Sequence, residues 1–117
     1  MSEPPYVPER GHLVWLNFTP HAGHEQGGRR PALVLTPTSY NGLTGLMIAA
    51  PVTSLVKGYP FEVILPEDMA VRGVILSDHA RSVDWRARRA EFVVAVPEAV
   101  LEEVSGKLAA LLHLGQP

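Results

Sequence analysis

Apolar runs in this chain are short, and glycine, proline or asparagine cuts off nearly every one of them within a few residues. Ten glycines and eleven prolines are spread over 117 residues. Long helices do not survive that punctuation, because in a helix interior glycine costs about 1 kcal/mol and proline about 3 kcal/mol relative to alanine. Short strands joined by turns tolerate it. Residues 12–18 read as a first strand, with Val14, Leu16 and Phe18 on one face and Trp15 on the other. Further strands are expected at 31–36, 46–52 and 61–65. Two more, or one bent strand, follow over 74–76 and 79–83, and a last one over 92–96. Pro51 marks a bulge or an edge position in the third. The stretch 37–45 is rich in turn residues, with Asn41-Gly42 a strong turn signal, and Lys57-Gly58-Tyr59-Pro60 is another turn.

The C-terminal stretch breaks this rule. Pro97 suits a first helical position, and Glu98 complements the helix N-terminus. Val100, Leu101, Val104, Leu108, Leu111 and Leu112 recur at helical spacing, with Glu102, Glu103 and Lys107 off the stripe and Gly115 as a stop. Ser105-Gly106 weakens its middle turn. Such a stripe packs on a core or on a second copy of the chain. Together these elements predict one domain over 1–117, mainly β with a C-terminal α-helix, folded as a small, strongly bent β-barrel.

An apolar content of 46% argues for a folded chain. No cysteine is present, which excludes disulfides, thiolate metal sites and cysteine nucleophiles. Residues 1–10 hold three prolines and no apolar core of a secretory signal, and no run approaches a membrane span. The net charge of −2 is unevenly placed: Arg72, Arg81, Arg86, Arg88 and Arg89 face only Asp78 and Asp84 over 72–89. Eight of the ten cations are arginines, which favours forked contacts to phosphate or carboxylate.

Residues 19–30 form a long loop, and loops of that length are usually functional or disordered. Within it lies Glu25-Gln26-Gly27-Gly28-Arg29-Arg30-Pro31. Two glycines let the backbone fold back on itself, and Pro31 starts an extended run, so Glu25 and the guanidinium of Arg30 can approach each other. A carboxylate beside a planar cation suits chemistry on a phosphate; a surface turn with solvated charges is the plainer alternative. Thr53 and Ser54, at the exit of the third strand, could donate to a phosphate or merely satisfy local backbone. His21 and His24 superficially suggest a metal pair, but Pro20, Gly23, Gly27 and Gly28 argue against the helical spacing that zinc motifs need, so no metal site is expected. The arginines of 81–89 form either a salt-bridged face or a ligand surface.

Six stretches in order resemble the MazF/PemK (Kid) endoribonuclease toxins. They are Arg10-Gly11-His12-Leu13-Val14-Trp15, the run from Glu25 through Leu35, Tyr40-Asn41 with Thr44-Gly45-Leu46, Pro51-Val52-Thr53, Lys57-Gly58-Tyr59-Pro60-Phe61-Glu62-Val63, and Asp84-Trp85-Arg86-Ala87-Arg88. The fifth and sixth lie nearest the MazF branch. The resemblance implies an SH3-like barrel of the CcdB/MazF type and a homodimer. It also implies cleavage of single-stranded RNA at short sequences, without metal or cofactor. In that family the substrate's 2′-hydroxyl attacks the backbone, leaving a 2′,3′-cyclic phosphate and a 5′-hydroxyl. Carried over by position, Glu25 is the acid/base carboxylate, Arg30 the catalytic arginine and Thr53 the hydroxyl that holds the phosphate. Arg29, Arg81, Arg86, Arg88, Lys57 and His24 become candidate RNA contacts. A cognate MazE-like antitoxin with an acidic, flexible segment and a bacterial cytoplasmic setting are implied as well. Competing readings are a CcdB-like topoisomerase poison, a non-catalytic SH3-like binding module, and a zinc hydrolase using His21 and His24.

Overall fold

The computed structural model describes residues 5–17 and 28–114. Strand β1 (His12–Asn17) is followed by β2 (Arg29–Val34), helix α1 (Thr38–Thr44), β3 (Leu46–Thr53), β4 (Glu62–Ile64) and β5 (Val74–Leu76). A 3₁₀ turn (Ser77–His79), β6 (Arg81–Asp84), β7 (Glu91–Ala95) and helix α2 (Glu98–Leu111) complete the chain. All pairings are antiparallel, in the order β4-β5-β3-β2-β1-β7, with β6 joined to β3. The expected class therefore holds, but β4 and β7 end the path and the sheet is not closed into a barrel among the described residues.

One edge of β3 serves two strands. Its first half pairs with β6, from Leu46↔Asp84 to Ala49↔Arg81, and its last two residues pair with β5. Pro51, which has no N–H to give, falls where that edge passes from β6 to β5. The region 74–84 is accordingly two strands separated by a 3₁₀ turn.

Side chains alternate across the sheet and bury both faces. Leu13, Leu33, Ala50, Val52 and Ile75 pack with Val100, Leu101 and Val104 of α2. Val14, Leu16, Ala32, Val34, Met47 and Trp85 form a second cluster on the opposite face, covered by Tyr6 and Val7 of the N-terminal lead-in. Val14 and Leu16 thus share a face as the pattern required, while Trp15 sits half-buried against the first cluster. Phe18 lies outside the described residues.

Residues 37–45 depart from the expected turns. Thr38–Thr44 is a helix that holds Asn41 and Gly42 in its interior and ends on Gly45 at φ 75. Contacts distant in sequence decide this. Asn41 is fully buried; its amide donates to the carbonyls of Pro8 and Thr36, both at 2.8 Å, and its Oδ1 accepts from Thr36 Oγ1 at 2.7 Å. Trp85 Nε1 donates to the Asn41 carbonyl at 3.0 Å. Four such bonds outweigh a local turn preference worth a fraction of a kcal/mol per residue.

The N-terminal half of the α2 stripe is buried, but Leu111 and Leu112 remain 43% and 57% exposed. Pro97 stands one position ahead of the helix, at its N-cap. Gly115 lies outside the described residues. No helix among the described residues is long and apolar enough to cross a membrane.

Candidate functional site

Gly28 takes φ 57 just before β2, a left-handed turn that a side chain would resist, and delivers Arg29 and Arg30 to the root of the strand. Arg30 lies opposite Leu16 of β1. On its other side the β2–β3 ladder pairs Ala32 with Pro51 and Leu33 with Ala50. Continued by two residues, that register sets Arg30 opposite Thr53 on the same face of the sheet. Thr53 pairs onward with Val74 of β5.

These strand ends and the turn before β5 enclose an open cleft of about 330 Å³. Arg30, Thr53, Ser54 and Arg72 supply its polar wall, and Trp15, Val52 and Val71 its apolar one. None of the described residues that line it is acidic. The Arg30 side chain is exposed and has no hydrogen bond or ion pair among the described residues. Thr53 Oγ1 accepts from the Leu55 N–H at 3.1 Å, which leaves its own proton to donate. Gly73 fixes the back of the cleft: at φ +124, a Cβ there would stand 2.2 Å from the Thr53 carbonyl oxygen. Only a glycine lets the β5 turn approach the end of β3 so closely.

The other residues singled out in the sequence are spread more widely. Arg29 is committed to the scaffold. It is hydrogen-bonded to Asn17 Oδ1, donates to the Arg89 carbonyl at 3.1 Å and pairs with Glu91 at 3.0 Å. Arg88 sits beside it, donating to the Asn17 carbonyl at 3.3 Å. The two hold the β6–β7 turn against the root of β2, next to the cleft but not lining it. Arg86 lies over the buried Trp85 ring, 4.7 Å from its centroid, and reaches the Gly42 carbonyl at 3.4 Å. Arg81 is exposed on β6. Lys57 belongs to the exposed loop that leaves the cleft after Ser54, with its ammonium 5.9 Å from the Tyr59 ring centroid. That loop is ordered by Glu62, whose carboxylate accepts the N–H groups of Lys57 at 3.1 Å and Gly58 at 2.9 Å. Glu25, His21 and His24 lie outside the described residues, and no cluster of metal-ligating side chains occurs among the described ones.

Among the charged and aromatic residues of the cleft, Arg72 and Trp15 are the ones that sequence reasoning did not nominate for the site. Arg72 counted only toward the basic run; its one local signal is its place directly before Gly73, at the start of a strand.

Residues 9–112 match the family model described as PemK-like, MazF-like toxin of type II toxin-antitoxin system. The chain is 43% identical over 107 residues to the endoribonuclease toxin MazF of Escherichia coli (strain K12), covering 92% of this chain and 96% of that one. It is 38% identical over 109 residues to the endoribonuclease PemK of Escherichia coli, covering 89% and 81%. A crystal structure of MazE-MazF (Form-II) from Deinococcus radiodurans superposes with a TM-score of 0.92 at 67% identity, over 95% of this chain and all of that one (100%).

Proposed function

Because this chain belongs to the PemK-like, MazF-like family of type II toxin–antitoxin toxins, we propose that it is an endoribonuclease toxin that cuts single-stranded RNA in the cleft between Arg30 and Thr53. The observation that carries this reading is that cleft: an unpaired guanidinium and a free hydroxyl proton, on adjacent strand ends, with no carboxylate among the described residues that line it.

The chemistry follows from what these groups can do. The 2′-oxygen of the substrate attacks phosphorus and the bond to the 5′-oxygen breaks, leaving a 2′,3′-cyclic phosphate and a 5′-hydroxyl. Glu25 takes the 2′-proton as general base. Arg30 stays protonated at ordinary pH, so it compensates the charge growing on the phosphate oxygens rather than giving up a proton, and Thr53 donates a second hydrogen bond. Another group or a water protonates the departing 5′-oxygen. No metal or cofactor enters these steps. Lys57, Arg81 and His24 are the candidate RNA contacts beyond the cleft, whereas Arg29, Arg86 and Arg88, engaged by the scaffold, add positive charge to the RNA-facing surface. Residues 1–117 act as one domain, in the bacterial cytoplasm.

The toxin works as a homodimer that a MazE-like antitoxin inhibits. Support for the dimer is an apolar groove of about 230 Å³ between the end of α2 and the sheet, where Leu35, Ile48, Leu108 and Leu112 meet. Leu112 and Leu114 are 57% and 62% exposed in the single chain, an apolar surface that a second copy would cover. Support for the antitoxin is the crystallised MazE-MazF assembly of the Deinococcus relative and the arginine-rich face, which suits an acidic segment. A topoisomerase poison on the same fold is the weaker reading, since a pure binding module has no use for the Arg30 and Thr53 arrangement.

The test is incubation of the purified protein, free of antitoxin, with long unpaired RNA in EDTA, followed by sequencing and chemical mapping of the cut ends. Site-selective cuts with cyclic phosphate and 5′-hydroxyl ends are expected. RNA left intact, or cleaved only with added metal, would overturn the mechanism.

A further inference from the structure

We propose that Arg72 is a second anion contact of the cleft and holds the RNA phosphate next to the one gripped by Arg30. The inference rests on the ribonuclease reading and adds a residue to it. Three observations carry it. Arg72 lines the same cleft as Arg30, Thr53 and Ser54. Its side chain is exposed and, like that of Arg30, has no hydrogen bond or ion pair among the described residues, whereas Arg10, Arg29, Arg86 and Arg88 are all engaged by the scaffold. Its backbone is held in place: Gly73 at φ +124 packs against the Thr53 carbonyl, and Val71 beside it is buried.

The spacing separates its role from that of Arg30. Arg30 is on β2 and Arg72 leads into β5, with β3 between them. Two strand spacings, roughly 10 Å, therefore divide their backbones. Extending the β3–β5 register puts Arg72 two residues beyond the Thr53 row, about 7 Å further along the strand direction. Together the two offsets set the backbones about 12 Å apart, a gap across which two long arginine side chains can converge on successive phosphates of one strand. Arg72 thus reaches the adjacent phosphate while Arg30 and Thr53 serve the reacting one. Two uncompensated guanidiniums on one wall also lower the potential energy of an anionic chain entering the cleft. The contact is to backbone, so it positions the strand without choosing its bases.

The experiment compares wild type with Arg72→Ala and Arg72→Lys on an RNA oligonucleotide that wild type cuts, and measures affinity on the same oligonucleotide with a 2′-deoxy nucleotide at the cut position. For Arg72→Ala, KM is expected to rise roughly tenfold at low salt while kcat changes far less. The slope of log affinity against log salt should become shallower by about 0.7, the share of one phosphate on a single strand. Arg72→Lys should restore most of the slope. Unchanged melting temperature checks folding, which an exposed, unpartnered side chain leaves intact. If Arg72→Ala matches wild type in KM and slope while wild type cuts, the assignment of Arg72 fails and the ribonuclease reading stands. If the loss falls on kcat instead, Arg72 serves the reacting phosphate and the neighbouring-phosphate assignment is wrong. If wild type neither cuts nor binds any single-stranded RNA, the ribonuclease reading falls and takes this assignment with it.

Discussion

Gly73→Ala tests the link between fold and cleft at one atom. The added Cβ would stand 2.2 Å from the Thr53 carbonyl oxygen, whereas real Cβ contacts essentially never fall below 3.0 Å. Backbone blocks it, not the end of a flexible side chain, so the β3 exit and the β5 turn must separate by close to 1 Å. A φ of +124 adds a left-handed penalty for alanine of about 1–2 kcal/mol, and the overlap adds about 1–3 kcal/mol. The sum is about 2–5 kcal/mol. With an unfolding entropy of about 2.1 cal/mol/K per residue, a chain of 117 residues should lose roughly 8–20 °C in Tm. Thr53 moves with the strand end, and a misplacement of about 1 Å can cost a hundredfold in rate. Circular dichroism melts give the first quantity; RNA cleavage at a temperature where the variant is folded gives the second. A Gly73→Ala protein that melts within about 3 °C of wild type, well short of the roughly 8 °C lower bound, and cuts at the wild-type rate would refute the close-approach argument.

Three further outcomes follow from the same structure. Asn41→Ala removes three side-chain hydrogen bonds of a buried amide and should cost about 3–5 kcal/mol in urea unfolding; a loss under about 1 kcal/mol would mean that helix α1 is held by something else. Burial pushes the Tyr6 hydroxyl up to about 12 from its ordinary 10.0, outweighing a backbone hydrogen bond at Glu9 that pulls it down. The unfolded chain ionises first, so this share of stability is intact below pH 10 and is lost between pH 10 and 12; urea midpoints across that window should fall less steeply for Tyr6→Phe, and identical slopes would count against it. Leu112→Glu puts a charge on the exposed apolar end of α2 and should shift the proposed dimer toward monomer in sedimentation, with the melting of the monomer little changed; an undiminished dimer would place the interface elsewhere.

Much of this architecture was legible because it is written locally. Strand alternation in β1 and the apolar stripe of α2 are periodic, so Val14 and Leu16 of the one and Val100, Leu101 and Val104 of the other could be named as buried, while Leu111 and Leu112 of the same stripe stay exposed. The Arg30 and Thr53 juxtaposition was accessible through resemblance, and the β2–β3 register gives it a physical basis. Helix α1 was hidden because Asn41-Gly42 looks like a turn until Pro8, Thr36 and Trp85 are brought against it. Arg29 looked like a free cation because Glu91, its partner, lies 62 residues away. Arg72 was overlooked for the same kind of reason: its importance lies in which strand end it faces, and that depends on β3 exchanging β6 for β5 along one edge.

The rate at which Arg30→Ala cleaves a defined single-stranded RNA under single-turnover conditions bears most directly on the account. Loss of one donor to a charge that grows in the transition state should slow the cut roughly a hundredfold to a thousandfold, with the circular dichroism spectrum unchanged. Cleavage within twofold of wild type would contradict the role given to the cleft.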